Sequence, residues 1–223
     1  MAPIANRLIP RWTVACAILV PWLPDPAVGQ SAEAPGDAPW SVHTQATLID
    51  QWHYDFPSPY EGANSFLPNP ESEHTFSFTL FLGHALWSGA ELFYNPEILQ
   101  GHGLSSTYGI AGFPNGEAVK AAFPNLHYNT SRLFIRQTIG LGGEKESVDS
   151  DANQFAGSRD IDRLTFSLGK FSVDDFFDDN AYSHDTRTQF LNWALWESAA
   201  WDYPADVLGY TGGFVAYCNT MRW

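Results

Sequence analysis

The sequence predicts an all-β protein whose strands form an antiparallel transmembrane β-barrel. Most of the chain consists of segments in which apolar and polar residues alternate, which is the period of a strand. These segments run to about 10–14 residues, longer than the usual 5–6 of soluble sheets and long enough to cross a bilayer. Aromatic residues, which make up 15% of the chain, bracket several of them, as in the aromatic girdles of membrane barrels.

Residues 1–29 have the three parts of a secretory signal peptide. Arg7 and Arg11 precede an apolar run over residues 12–23, and the small residues Ala27 and Gly29 close the segment. The run is about twelve residues long, whereas a membrane-spanning helix needs about 20. We therefore expect export, cleavage after Gly29, a short linker over 30–39 and a barrel domain over 40–223.

Charge and cysteine content exclude two classes of protein. The 11 basic and 25 acidic residues of the chain fall to 9 and 24 once Arg7, Arg11 and Asp25 leave with the signal peptide, a net charge of −15. Nucleic-acid binding, which needs a basic footprint, is not expected. Cys16 leaves with the same segment, so Cys218 has no internal disulfide partner and a disulfide scaffold is excluded.

About seven segments carry the strand pattern. In "WSVHTQATLIDQWHY", Val42 and Leu48 belong to a mostly apolar set of even positions, and Gln45 and Thr47 to a polar odd set. Leu133, Ile135 and Ile139 likewise alternate with polar residues and are expected to face lipid. The segments are 40–54, 75–87, 90–99, 132–141, 163–171, 192–203 and 210–217.

The connections between these segments are rich in turn-forming residues. Ser88-Gly89 predicts a tight hairpin turn between two strong strands. In "QGHGLSSTYGIAGFPNGE", Ser106 stands where a third glycine would complete a dinucleotide-binding fingerprint, so this stretch is interpreted as a loop. The connection 142–162 is long where an up-and-down barrel would place a short turn.

Four blocks of the chain resemble the carbohydrate-selective porin family (OprB type) of Gram-negative outer membranes. They are "WSVHTQATLIDQWHYDFPSPYEGANSFLP", "GAELFYNPEILQGHGLSSTYGIAGFPNGEA", "RLFIRQTIGLGGEKESVDSDANQFAG" and "KFSVDDFFDDNAYSHDTRTQFLNWAL". The resemblance implies a β-barrel channel in outer-membrane lipid that passes sugars and small solutes by diffusion. It implies no cofactor, no metal and no enzymatic activity, and it leaves open whether copies of the chain associate.

The chain is shorter than members of that family. Porins with an aqueous channel have 16–18 strands, whereas about seven are predicted here. The alternation also breaks at "CNTMRW". We therefore expect an open, N-terminal part of a porin barrel, from a truncated or frameshifted reading frame. Because unpaired backbone groups in lipid cost several kcal/mol each, such a sheet is expected not to conduct unless copies associate.

Charged residues on the polar faces and in one acidic loop are the candidate pore-lining residues, since side-chain charges in a constriction set solute selectivity. Phe93 and Phe134 are further candidates, as rings that stack on sugars. The alternative is that arginines and glutamates merely pair across neighbouring strands. The charged candidates are Glu91, Glu97, Arg132, Arg136, Asp174, Asp175, Asp178 and Asp179.

The acidic run 174–179 admits other interpretations. A calcium loop is disfavoured by Phe176, Phe177 and the lack of a glycine. A glycosidase pair would combine Asp178 or Asp179 with Glu197. The favoured interpretation is a loop at the channel mouth that offers carboxylates to hydroxyl-rich solutes. Two other classes stay open, namely a secreted sugar-binding β-sandwich and a secreted glycoside hydrolase.

Overall fold

The computed structural model describes residues 17–18, 39–120, 122–177, 180–195 and 209–221. Its elements are β1 Ala17–Ile18, β2 Trp40–His53, β3 Glu71–Trp87, β4 Ala90–Gly101, two 3-10 turns at Leu104–Thr107 and Gly109–Gly112, α1 Gly116–Lys120, β5 Phe123–Gly140, β6 Lys145–Val148, β7 Gly157–Asp160, β8 Arg163–Phe171 and β9 Thr211–Asn219. The protein is therefore mostly β, as predicted.

Six long strands form one antiparallel sheet in the order β2-β3-β4-β5-β8-β9. The two-residue β1 pairs with Ile49 and Asp50 on the outer edge of β2, and β6 and β7 form a separate hairpin. Among the described residues β9 pairs with β8 alone. The sheet is antiparallel as expected, and within the described part of the chain its two edges do not pair with each other to close a barrel.

Six of the seven predicted segments are strands, several of them longer than the pattern indicated. β3 begins four residues earlier, at Glu71, and β5 extends back to Phe123. The prediction for 192–203 is wrong in its described part, because residues 193–195 form a 3-10 turn. Residues 196–203 lie outside the described residues.

The sheet has its polar face buried and its apolar face exposed. On the polar face Thr79, Thr165 and Ser167 are each 1% exposed. On the apolar face Leu168 is 58% exposed and Phe214 is 63% exposed. A soluble sandwich does the reverse, since it buries the apolar side of each strand. The outer face of this sheet therefore requires an apolar environment.

A bulge in β5 changes which residues face inward. Asn95 is level with Arg132 and Pro96 with Thr130, so that Ser131 is the extra residue. Its hydroxyl donates to the Asn95 carbonyl at 2.9 Å, and Pro96 is tolerated here because a bulge interrupts the ladder. The bulge places Arg132, Phe134 and Arg136 on the inner face.

The two ends of the sheet differ. We call the end with the connections 54–70, 102–122 and 172–210 the long-loop end. The opposite end carries the Ser88-Gly89 hairpin and the connection 141–162, and we call it the turn end. Gly89 has φ +73°, and a Cβ there would lie 2.1 Å from the Thr138 carbonyl oxygen, so the predicted tight turn requires glycine. In the described part of the chain no helix has the length and apolar character to span a membrane.

Candidate functional site

Segments from both ends of the sheet fold over its polar inner face. The described parts of two connections, 102–120 with 122 and 172–177 with 180–195, enter from the long-loop end, and 141–162 enters from the turn end. Their side chains meet the inner-facing charges of β4 and β5. The space between these segments and the sheet is the candidate site.

Arg187, in the segment after β8, is buried between two carboxylates. Its Nη2 lies 2.7 Å from Glu117 Oε1 and also pairs with Glu97 on β4. The side chains are 7% exposed for the arginine and 1% for each glutamate. Burial lowers the pKa of Arg187, but the carboxylates of Glu117 and Glu97 outweigh this and raise it well above its ordinary value. The cation is therefore permanent.

The wall completes this ion cluster of Arg187, Glu97 and Glu117. Arg187 Nη1 donates to Thr79 Oγ1 on β3 at 2.8 Å, and Thr79 Oγ1 donates to Glu97 Oε1 at 3.0 Å. A buried charge is tolerated only when it is paired and hydrogen-bonded. The cluster thus joins two inserted segments to two strands.

Backbone contacts hold the same two segments together. Gly116 N donates to the Leu191 carbonyl at 2.8 Å, and Trp193 N donates to the Phe113 carbonyl at 2.9 Å. Asn115 fixes the pair to the wall, because its Nδ2 donates to Gln51 Oε1 at 3.1 Å while its Oδ1 accepts from the Glu117 N–H at 3.0 Å. The inserted segments are therefore a packed layer rather than separate loops.

Arg132 binds a member of the acidic run. Arg132 Nε donates to Asp175 Oδ2 at 2.7 Å, and a second nitrogen of the guanidinium pairs with Oδ1. The same Oδ2 accepts from the Ser172 N–H at 3.0 Å. This bidentate geometry fixes the start of the acidic segment against β5. Asp178 and Asp179 lie outside the described residues, as does Glu197.

Glu91 and Arg136 form the cross-strand pair that was the alternative interpretation of the wall charges. They are directly opposite on β4 and β5, and Arg136 Nε donates to Glu91 Oε2 at 2.8 Å. The guanidinium carbon also lies 4.6 Å from the centre of the Phe93 ring. Arg136 Nη2 donates to the Asn153 carbonyl at 2.8 Å, so the pair extends to an inserted segment.

The suggestion that Phe93 and Phe134 stack on sugars is wrong. Phe93 is 1% exposed and Phe134 is 5% exposed. With Phe171 they form a buried apolar cluster that Phe155 and Phe176 cover. The sequence pattern placed both rings correctly on the inner face but gave no sign that inserted phenylalanines would cover them.

A cavity of about 570 Å³ lies near the middle of the sheet, between the inserted segment 184–188 and wall residues that include Gln45 and Arg132. Charged side chains from three different segments line it, and carboxylates outnumber guanidiniums. Phe81 and Tyr210 supply aromatic rings. The charged lining residues are Arg132, Asp151, Asp174, Asp175, Asp185 and Arg187. Planar polar groups together with aromatic faces suit a hydroxyl-rich solute.

Of the eight predicted pore-lining residues, the structure describes six. Glu91, Glu97, Arg132, Arg136 and Asp175 all join ion pairs on the inner face, and Asp174 lines the large cavity. Sequence reasoning missed Glu117 and Arg187. The available signal was that Arg187 is the sole lysine or arginine between residues 172 and 210. No described group of His, Cys, Asp and Glu side chains is arranged to hold a metal ion.

A model of the carbohydrate-selective porin, OprB family matches residues 64–221. The match covers most of the chain and confirms the resemblance. The chain belongs to this porin family. Searches of curated proteins and of solved structures found no significant match.

Proposed function

We propose that the chain forms wall and lumen of an outer-membrane channel through which carbohydrates and other small solutes diffuse. The exposed apolar face and buried polar face of the sheet carry this proposal. A transmembrane barrel has the same arrangement, with apolar residues toward lipid and polar residues toward the interior. Family membership supports the solute class at the level of carbohydrate-selective porins. Residues 1–29 would direct export, with 30–39 as a linker.

The two ends of the sheet suggest an orientation. Outer-membrane barrels have short periplasmic turns and longer external loops. The long-loop end would therefore face outside, and the Ser88-Gly89 turn would face the periplasm. A solute would then reach the cavity of about 570 Å³ after it passes the external loops.

Ring closure requires strands that pair with both edges of the sheet. Unsatisfied backbone groups in lipid cost several kcal/mol each, so the conducting form must have paired edges. Each of the six strands is antiparallel to its neighbour, so the first and the last run in opposite directions. β2 runs toward the long-loop end and β9 runs away from it. Antiparallel edges of this kind can be joined by added strands or by further copies of the chain.

The test combines localisation with solute permeation. The chain is expressed with its N-terminal segment in a Gram-negative host that lacks its general porins, extracted from the outer membrane and reconstituted into liposomes. We expect recovery in the outer-membrane fraction and faster swelling in hexose than for empty liposomes, in assemblies larger than one chain. Recovery as a detergent-free periplasmic protein would instead support the secreted sugar-binding alternative.

A further inference from the structure

The segment 151–154, in the connection from the turn end, lies where three cavities meet. We call this segment the tip. The cavity of about 570 Å³ borders Asp151, Ala152 and Asn153. A middle cavity of about 250 Å³ borders the whole tip and Arg136. A turn-end cavity of about 350 Å³ borders Gln154 and Arg136.

These cavities follow one another from the middle of the sheet to its turn end. The first is lined by the inserted segment 184–188 from the long-loop end. The last is lined by Ser88, Gly89 and Gly140 at the turn end. The middle cavity shares Asp175 and His184 with the first, and Arg136 and Gln154 with the last. The tip and Arg136 therefore border the path that leads from the first cavity to the last.

The tip is a tight turn with its own internal bonds. Asp151 N donates to the Gln154 carbonyl at 3.2 Å, and Gln154 N donates to the Asp151 carbonyl at 3.0 Å. Asn153 has φ +57°, a left-handed conformation that asparagine adopts more readily than most residues. Its Oδ1 is buried and has no hydrogen-bond partner among the described residues, although Asn153 borders two cavities.

Three anchors hold the tip against three parts of the wall. Ser150 and His43 on β2 form a side-chain hydrogen bond of 2.9 Å. Arg136 on β5 binds the Asn153 carbonyl at 2.8 Å. The Phe155 ring packs on Phe93 with centroids 5.9 Å apart.

Gly83 on β3 makes the aromatic anchor fit. A Cβ at this position would lie 2.9 Å from Phe93 and 3.0 Å from Phe155. The absence of a side chain lets the Phe155 ring lie directly against the sheet. The contacts of Ser150 and Phe155 hold the residues on either side of the tip, and Arg136 holds the tip itself at Asn153. The tip is therefore a fixed obstacle and not a free loop.

We propose that the tip and Arg136 form a fixed internal filter between the outer and periplasmic chambers of the lumen. The filter rests on the proposed channel function. It limits solutes by size through the anchored turn, and by charge through a guanidinium that Glu91 holds in place. The tip enters the lumen from the turn end, whereas the acidic segment after β8 enters from the long-loop end.

The test measures thiol modification on either side of the tip in intact cells. Cysteine replaces Thr188, which lines the first cavity, or Thr138, which lines the turn-end cavity, in a Cys218→Ser background. A small and a bulky membrane-impermeant thiol reagent are added outside. When the tip is unchanged, we expect the bulky reagent to modify Thr188→Cys faster than Thr138→Cys by about tenfold or more. The small reagent should modify both cysteines.

Releasing the tip should remove this difference. Phe155→Ala, or replacement of residues 151–154 by two glycines, should bring the two bulky-reagent rates close together. Phe190→Ala, which changes an exposed ring elsewhere in the lumen segments, is the matched control and should leave the ratio unchanged. The two ways of releasing the tip protect the test against one variant failing to fold.

The outcomes separate the filter from the channel. Equal bulky-reagent rates in the parent, or a ratio that neither tip variant changes, would overturn the filter and leave the channel intact. If the small reagent fails to reach Thr138→Cys in every variant, the proposed channel itself is overturned, and the filter with it.

Discussion

Arg187 and Glu97 lie 90 residues apart in the chain, and their side chains form a buried ion pair on the inner face of the sheet. Glu97 belongs to the wall and Arg187 to a segment that folds into the lumen. Glu117, from a third segment, pairs with the same guanidinium at 2.7 Å. One side chain therefore fixes the position of both segments inserted from the long-loop end.

Removal of this arginine should destabilise the fold strongly. Arg187→Met leaves two buried carboxylates without their cation, and breaking a buried ion pair in this way costs about 3–5 kcal/mol. The free energy of unfolding, measured by urea titration in lipid vesicles, should fall by that amount. The triple variant Arg187→Met, Glu97→Gln, Glu117→Gln should recover part of the loss. Equal stability of the parent and Arg187→Met would show that the cluster does not hold the segments.

The facing of β5 predicts opposite effects for lysine at neighbouring inner and outer positions. Ile135→Lys would place a charge in lipid and oppose insertion by about 2–4 kcal/mol if the residue lies at mid-bilayer. Thr138→Lys places the same charge beside the turn-end cavity and should insert normally. The folded fraction recovered in outer membranes compares the two. Normal insertion of Ile135→Lys together with failure of Thr138→Lys would reverse the facing assignment.

Arg136 should influence ion selectivity because its charge balances Glu91. Arg136→Gln leaves that carboxylate without its partner, so cation permeability relative to anion permeability should rise. The double variant Glu91→Gln, Arg136→Gln removes both charges and should return selectivity toward the parent. Reversal potentials in a salt gradient measure the change. A shift toward anions in Arg136→Gln would contradict a lumen-facing pair.

The β6-β7 hairpin should loosen in acid. Hydrogen bonding and charge from Arg159, with a further contribution from Arg163, hold the pKa of Glu146 below its ordinary value. A carboxylate whose pKa is lower in the folded than in the unfolded state stabilises the folded state above its unfolded pKa. This stabilisation is lost as the pH falls through the folded-state pKa. The protection factors of the amides of residues 145–160, which compare each exchange rate with its intrinsic value at the same pH, should therefore fall in acid more in the parent than in Glu146→Gln. The same fall in both would assign the effect to other groups.

The strands were predictable because their pattern is local. Alternation of Leu133, Ile135 and Ile139 with polar residues identifies both a strand and its lipid-facing side without any knowledge of its neighbours. The strand proposed at 192–203 failed where it could be checked, since Trp193 packs its ring near Phe113 of another inserted segment. Contacts of that kind are long-range and leave no period in the sequence.

The site was only partly predictable for the same reason. Polar-face residues such as Glu91 and Arg136 follow from strand alternation and cross-strand register. Arg187 and Phe155 reach the lumen through connections that fold inward, and their partners are set by tertiary packing. The Ser131 bulge likewise shifts the alternation within one strand, a change that the pattern of apolar residues does not reveal.

The most direct test of the account compares the environments of two faces of the wall. A fluorophore is attached to cysteine at Leu168, which is 58% exposed on the apolar face, or at Thr138, which lines the turn-end cavity. We predict that brominated lipids quench the label at position 168 and not at 138, while aqueous iodide does the opposite. Quenching of both labels by iodide and of neither by lipid would contradict a membrane wall with a polar lumen.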